Sequence, residues 1–241
     1  MGRSNRRQPV RKRLPGRGVI VAEDVRKAAN TAGMQEFERS YQVPDCVVLD
    51  SAYCSMGRMV AVRACKAAGW NYFDSVVLLE LVPECGVTTD DVDAFEAKLA
   101  TGDADIAALR ASDEFCRIDT AVQLAVERAI AQGPCLIHDR VDKAGVLAMG
   151  HTCVSALCYA HDVEAMRVRA KVSPLYKDLT DPAELDAAIM REDNIRRAWH
   201  ALHSDTTRWG EPATYDLMIN TDLIGRDFAA QLLAQLMVGQ K

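Results

Sequence analysis

The sequence predicts an α/β fold with a mostly parallel sheet covered by helices on both faces. Short apolar runs have the length and composition of buried strands, and they lie at residues 45–50, 135–138 and 216–220. Longer segments repeat apolar residues at helical spacing, and they lie at residues 119–132, 181–202 and 225–238. Strands that alternate with helices along a chain are typical of parallel sheets.

Two further extended segments complete the predicted sheet. Asn71–Asp74 is a brief apolar piece that follows a predicted helix ending at Gly69. Met166–Val172 alternates apolar residues with Arg167, Arg169 and Lys171, which predicts a strand with one polar face. The sheet is therefore expected to contain about five strands.

The composition predicts an ordinary globular protein with an unusual N-terminus. The chain has 241 residues, of which 49% are hydrophobic and 26% are charged. We expect a disordered basic tail over residues 1–18, a helical extension over 19–43 and the α/β domain over 44–241. No apolar run approaches the roughly 18–20 residues that cross a bilayer, so no membrane partner is expected.

The tail has two interpretations. Residues 1–17 contain seven basic residues and no acidic one, although the chain as a whole has a net charge of −5. Such a segment is either an arm that contacts nucleic-acid phosphates or a solvated extension. No aromatic residue is interleaved for base stacking, so we favour the solvated extension and expect no nucleic-acid partner.

The cysteines predict a reducing environment. Eight of them are scattered along the chain without a C-x-x-C pair, and several, such as Cys46 and Cys135, lie in apolar runs. This pattern favours a cytoplasmic protein over a disulfide-bonded one. Residues 151–161 contain an H-x-C-x4-C-x2-H pattern, but its spacing differs from standard zinc sites, and we expect no protein-bound metal.

A specific run of residues lies near the C-terminus. Residues 209–221 read WGEPATYDLMINT. The run resembles the closing signature of the cytidylate kinase-like family, W-G-[DE]-P-x-x-Y-D-L-x-[IL]-N-[ST], which belongs to the P-loop nucleoside monophosphate kinases. The resemblance extends from about Asp45 to Leu233. It implies a P-loop kinase-type parallel sheet of about five strands flanked by helices, with a helical lid.

Residues 50–59, DSAYCSMGRM, connect the first predicted strand to a helix. A helix N-terminus after a strand presents free backbone N–H groups and a partial positive charge, which together bind phosphate. The family has the loop S-R-x-x-G-S-G-G-R-E-[IL] there. The resemblance implies that the donor phosphates of ATP contact Ser55, Met56, Gly57, Arg58 and Met59.

Four replacements set this loop apart from the family pattern, and the first is Ser51 in place of an arginine. Cys54 and Met56 stand in place of glycines, at positions where the backbone is expected to need a positive φ. Met59 stands in place of a glutamate and offers no oxygen ligand to Mg²⁺.

Residues 137–140, IHDR, follow a predicted strand at the carboxyl edge of the sheet, where ligands of open α/β sheets bind. The family has V-G-R there, and the resemblance implies that Arg140 contacts the phosphate of the acceptor. Asp139 replaces the glycine, and its carboxylate would repel a phosphate unless it pairs with Arg140 or a cation. We predict both as substrate-binding residues.

A lid is predicted in residues 191–197, REDNIRR. The family has a D-x-x-R pairing there, which Asp193 and Arg196 match. Arginines that close over the transferred phosphoryl group neutralise its charge. The resemblance therefore implies catalytic roles for a set of four arginines, which are Arg58, Arg191, Arg196 and Arg197. From the residues alone, a solvated helix with local ion pairs stays an equal alternative.

The resemblance implies a cytidylate-like kinase that transfers the γ-phosphoryl group of ATP, with Mg²⁺, to a (d)CMP-type acceptor. The replacements at Met59 and at the two glycines keep a second interpretation open. In it the chain is a catalytically inactive member of the family that binds a nucleotide or a partner.

Overall fold

A computed structural model of the chain describes residues 41–239. Gln42–Lys241 forms one compact unit. The predicted basic tail over residues 1–18 lies outside the described residues, as does nearly all of the predicted extension over 19–43. Both stay predictions, together with the domain boundary at residue 44.

Within residues 41–239, the strands form one five-stranded sheet in the order β2-β3-β1-β4-β5. Every neighbouring pair is parallel, and β1, at the centre, is buried along its whole length. The predicted fold class, a parallel α/β sheet of about five strands flanked by helices, is confirmed. The strands are β1 (Cys46–Ser51), β2 (Asn71–Asp74), β3 (Cys135–His138), β4 (Cys153–Tyr159) and β5 (Leu217–Asn220).

Helices cover both faces of the sheet, because alternate residues of each buried strand point to opposite sides. Val47 and Leu49 pack into one core with α1 and α10, whereas Cys46 and Val48 pack into the other with α3 and α5. The helices are α1 (Gly57–Ala68), α2 (Ser75–Leu79), α3 (Thr89–Leu99), α4 (Ile106–Arg110), α5 (Asp113–Ala131), α6 (Lys143–Ala148), α7 (Val163–Ala170), α8 (Pro182–His203), α9 (Thr221–Ile224) and α10 (Arg226–Val238).

The strand predicted at Met166–Val172 is wrong. Most of this segment belongs to α7, which begins where the Asp162 carboxylate accepts the backbone N–H of Ala165. The alternation of valine and arginine arises from a helix whose arginines are ion-paired, since Arg167 lies 2.5 Å from Asp186 of α8. The fourth strand is β4, which contains two cysteines of the H-x-C-x4-C-x2-H pattern. No helix within residues 41–239 has the length and apolar character required to cross a membrane.

Candidate functional site

The carboxyl ends of β1 and β3 open onto a cavity of about 630 Å³ at the N-terminus of α1. The loop after β1, the turn after β3 and the inner face of α8 form most of its wall. This is the edge at which open α/β sheets bind ligands. The volume suits a small-molecule site, for which roughly 300–1,000 Å³ is typical.

The loop between β1 and α1 follows the backbone path of a glycine-rich loop without the glycines. Cys54 has φ 64° and Met56 has φ 65°. Both residues replace glycines of the family pattern, and both adopt the positive φ expected there. A non-glycine residue in this region costs about 1–2 kcal/mol. The surrounding contacts therefore hold the loop in a conformation that its own residues disfavour.

Gly57 lets the loop fold back onto the end of β1. A Cβ atom at this position would lie 2.3 Å from the Cβ of Ser51, closer than two carbon atoms can approach. On the other side of the loop, the Thr221 hydroxyl donates to the Ser55 carbonyl at 2.7 Å. Ser55 is fully buried beneath the loop and does not line the cavity. Of the predicted phosphate contacts, those on the cavity wall are Met56, Gly57, Arg58 and Met59.

Arg58 extends from the first turn of α1 along the rim of the cavity. Its side chain is 72% exposed, and its guanidinium lies 2.8 Å from the carboxylate of Asp74 at the end of β2. Met59 is 41% exposed and presents a thioether where the family has a carboxylate. The loop thus keeps a cation but offers no oxygen ligand from the side chain at position 59.

The turn after β3 contains a second pair of non-glycine residues with positive φ, Asp139 at 62° and Arg140 at 64°. Arg140 donates through Nε and Nη2 to both carboxylate oxygens of Glu96, and the Nη2 distance is 2.6 Å. The indole N–H of Trp199 donates to the same carboxylate at 2.6 Å. In this conformation Glu96 occupies the guanidinium face that the sequence assigns to an acceptor phosphate.

Asp139 connects the two sides of the cavity. One of its carboxylate oxygens accepts the backbone N–H of Ser51 at 3.1 Å, and the other lies 3.5 Å from the Arg196 guanidinium. Burial alone would raise the pKa of Asp139, but interactions with His138, Arg196 and Arg140 outweigh it and hold the pKa below its ordinary value. Asp139 is therefore ionised at neutral pH and paired with Arg196.

The predicted lid residues on α8 separate into two groups. Arg196 lines the cavity and lies with its guanidinium 5.6 Å from the centre of the Tyr53 ring. The Asp193 carboxylate accepts the backbone N–H of Tyr53 at 2.7 Å, so the D-x-x-R pair joins α8 to the loop between β1 and α1. Among the described residues that line the cavity, neither Arg191 nor Arg197 is present, and Arg197 stacks over Trp209 instead.

Arg169 is a cavity residue that the sequence analysis missed. It lies on α7, donates to the carbonyl oxygen of Cys54 at 3.0 Å and pairs with Asp222 at 2.8 Å. This contact holds the carbonyl of the first strained loop residue. The incorrect strand prediction hid it, because a strand would have placed Arg169 on the surface of the sheet.

Asp50, the penultimate residue of β1, was also missed. One of its oxygens, Oδ2, lies 2.7 Å from His200 Nε2 and accepts the Tyr215 hydroxyl at 2.7 Å. Burial would lower the pKa of His200, but the hydrogen bond and the charge of Asp50 outweigh it and raise the pKa. The available signal was a carboxylate that ends an apolar strand at the ligand-binding edge.

The eight cysteines are free thiols, and burial raises the pKa of the cavity residue Cys54 to about 12, so it is protonated at neutral pH. Among residues 41–239, no group of three or more His, Cys, Asp or Glu side chains is arranged to hold a metal ion.

The fold is shared with a protein of solved structure. No protein-family model matches the chain, and no curated protein matches it in sequence. An uncharacterised protein from Eubacterium ventriosum ATCC 27560 aligns with a TM-score of 0.54 at 13% identity, over 81% of this chain and 99% of that one.

Two shikimate kinases also align, with lower TM-scores. The enzyme from Acinetobacter baumannii, solved with shikimate, gives 0.42 at 14% identity over 83% of this chain and 96% of that one. The enzyme from Bacteroides thetaiotaomicron gives 0.46 at 10% identity over 80% and 97%.

Proposed function

We propose that the chain is a phosphotransferase that moves the γ-phosphoryl group of ATP to a small acceptor bound in the same cavity. One observation carries the proposal. Within residues 41–239, the non-glycine residues with positive φ are Cys54, Met56, Asp139 and Arg140, and all of them line this cavity. Such strain costs about 1–3 kcal/mol per residue and typically clusters at ligand sites.

The roles follow from the positions of the groups. The backbone of the loop and the N-terminus of α1 receive the donor phosphates. Arg58 and Arg196 supply positive charge from opposite walls, and catalysis consists of positioning and charge neutralisation. Arg191 and Arg197 stay predicted lid residues, since they would reach the cavity only after α8 moved.

The proposed cofactors are ATP and Mg²⁺. The first turn of α1 and the curled loop fit a polyphosphate. Mg²⁺ commonly binds through one or two carboxylates together with substrate phosphates and water, so a protein cage is not required. Bound there, the cation would neutralise phosphate charge, and its oxygen ligands would come from the nucleotide and the cavity carboxylates because Met59 supplies none.

A more specific part of the proposal concerns the acceptor and the cellular location. The signature at residues 209–221 makes a (d)CMP-type nucleotide the first acceptor to assay, and the free thiols favour a cytoplasmic location. A second candidate, an inactive nucleotide-binding member, is favoured by Met59 and by the pairing of Arg140 with Glu96. Both candidate functions predict nucleotide binding, but only the phosphotransferase predicts turnover.

A coupled assay of ADP formation from ATP with each nucleoside monophosphate, run beside calorimetric titration with ADP, tests the proposal. Arg58→Ala should weaken ADP binding and slow transfer, because it removes a phosphate-facing cation. Arg63→Ala is the matched control, since Arg63 pairs with Asp227 on the outer side of α1. The proposal fails if the parent binds no nucleotide or if both variants behave alike. Activity in Met59→Glu that the parent lacks would identify the inactive member.

A further inference from the structure

The charges on the cavity wall disfavour an acceptor that carries its own phosphate group. Six carboxylates face four guanidinium groups there. Each guanidinium is already paired with a carboxylate: Arg58 with Asp74, Arg140 with Glu96, Arg169 with Asp222 and Arg196 with Asp139. Among the described wall residues, no lysine or unpaired arginine remains for an acceptor that carries its own phosphate.

Asp50 is the wall carboxylate whose geometry differs from the others. Its Oδ2 atom receives two hydrogen bonds, from His200 on α8 and from Tyr215 before β5. Its Oδ1 atom accepts no hydrogen bond from any residue in the described range 41–239. The residue is 8% exposed, and that exposure is to the cavity. Two donors therefore fix one oxygen and leave the other available to a ligand.

We infer that the acceptor reacts through a hydroxyl group and that Asp50 is the catalytic residue that takes its proton. The inference rests on the proposed phosphotransferase function. As the acceptor oxygen bonds to the γ-phosphorus of ATP, its proton passes to Asp50 Oδ1. The bond from the γ-phosphorus to the β,γ-bridging oxygen breaks, ADP leaves with that oxygen, and Asp50 later releases the proton to solvent.

The chemistry separates the two kinds of acceptor. A phosphate monoester is largely a dianion at neutral pH, because its second pKa is near 6. It needs no base in order to attack, and an adjacent carboxylate repels it. A hydroxyl carries a proton that a positioned carboxylate removes during phosphoryl transfer. A wall rich in carboxylates also suits a ligand whose hydroxyl groups donate hydrogen bonds.

His200 and Tyr215 are positioning residues in this inference. They hold the plane of the Asp50 carboxylate through two bonds of 2.7 Å. The Nδ1 atom of His200 is buried without a partner among the described residues, so the hydrogen bonds of the ring are made by Nε2, with Asp50 at 2.7 Å and with the Tyr215 hydroxyl at 3.5 Å. Tyr215→Phe removes one donor but keeps the base.

The test measures ATP hydrolysis, in which water is the acceptor hydroxyl, and transfer from ATP to cytidine and to CMP. Asp50→Asn should slow hydrolysis and transfer to cytidine by about 10²–10⁴-fold, the usual contribution of a general base. Its ADP affinity should stay near that of the parent, whereas its melting temperature should fall, because His200 and Tyr215 lose the charge of their shared acceptor. Asp119→Asn is the matched control, because Asp119 pairs with His203 at 3.0 Å but does not line the cavity.

The split between kcat and KM separates a base from a structural carboxylate. Asp50→Asn should lower the kcat of hydrolysis and leave the KM for ATP unchanged, because the base acts on the acceptor and not on the nucleotide. Tyr215→Phe should lower kcat by a smaller factor, because it removes one donor and keeps the base. Asp119→Asn should change neither constant.

Each outcome decides a different claim. A parent that binds no nucleotide overturns the phosphotransferase function itself. If the parent binds nucleotide, three results overturn the inference alone. They are full activity in Asp50→Asn, a preference for CMP as the acceptor, and no turnover of any hydroxyl, water included. Loss of turnover in Asp50→Asn with ADP binding intact, and the smaller loss of kcat in Tyr215→Phe, support it.

Discussion

The two edges of the same sheet differ in what they contain. At the amino edge, Cys46 lies in register with Cys135 on one side and Cys153 on the other, and all three are buried. Near the carboxyl edge, β1 contains Asp50 and β3 ends in His138, and both residues are buried and polar. The strained residues of the described chain lie at this second edge. Apolar burial at the amino edge stabilises the fold, and the strained residues at the carboxyl edge lower that stability.

The largest expected effect is at the carboxyl edge. Glu96→Ala should destabilise the fold by about 3 kcal/mol, because it leaves Arg140 and the Trp199 indole without an acceptor in a largely buried site. Urea unfolding would measure the change. Glu84→Ala is the control, since its pair with Arg128 is exposed on both sides and should hardly matter. Equal effects of the two variants would remove Glu96 from its assigned role.

Gly57→Ala should have the next largest effect, about 2 kcal/mol, because the added methyl overlaps the Cβ of Ser51 and forces the loop outward. It should also weaken ADP binding in calorimetry. The double variant Ser51→Gly/Gly57→Ala restores the space and should recover much of the loss in stability. If the single variant is as stable as the parent, the close approach of loop and strand does not hold in solution.

Cys46→Ala should cost about 1 kcal/mol at the amino edge, because it removes a buried sulfur from the middle of the cysteine row. ADP affinity should not change, since the residue lies at the opposite end of β1 from the cavity. Thermal unfolding and calorimetry on the same sample would show both results. A loss of affinity would mean that the two edges are coupled more closely than their separation suggests.

The smallest effect has the opposite sign. Met56→Gly should stabilise the protein by about 0.5 kcal/mol, since relief of the positive φ exceeds the entropy that glycine adds to the unfolded chain. Met190→Gly is the matched control on the exposed face of α8, where it should destabilise by about 1 kcal/mol. If both substitutions destabilise the protein, the loop conformation is not strained and the comparison of the two edges weakens.

The sequence was sufficient to predict the parts of the fold that depend on local patterns. Apolar runs predicted β1, β3 and β5, and helical periodicity predicted α5, α8 and α10. The pattern at 166–172 failed because alternating valines and arginines fit a strand as well as an ion-paired helix. The capping residue Asp162, which separates the two, lies outside that window.

The site was predicted less completely, because its geometry depends on pairs distant in sequence. The positive φ at Cys54 and Met56 followed from the glycines they replace. The contact between Glu96 and Arg140 spans 44 residues, and that between Asp50 and Tyr215 spans 165. No local pattern reports such pairs. The roles assigned to Arg58, Arg140 and Arg196 stay predictions.

The hydrogen bond from the Tyr53 backbone to Asp193 joins the loop to the middle of α8. A movement of α8 toward the cavity would therefore also move this loop, which is the proposed site of the donor phosphates. If an acceptor raises the affinity for ATP, thermodynamic linkage requires that ATP raises the affinity for the acceptor by the same factor. The order in which ATP and the acceptor bind would then not change the stability of the final complex.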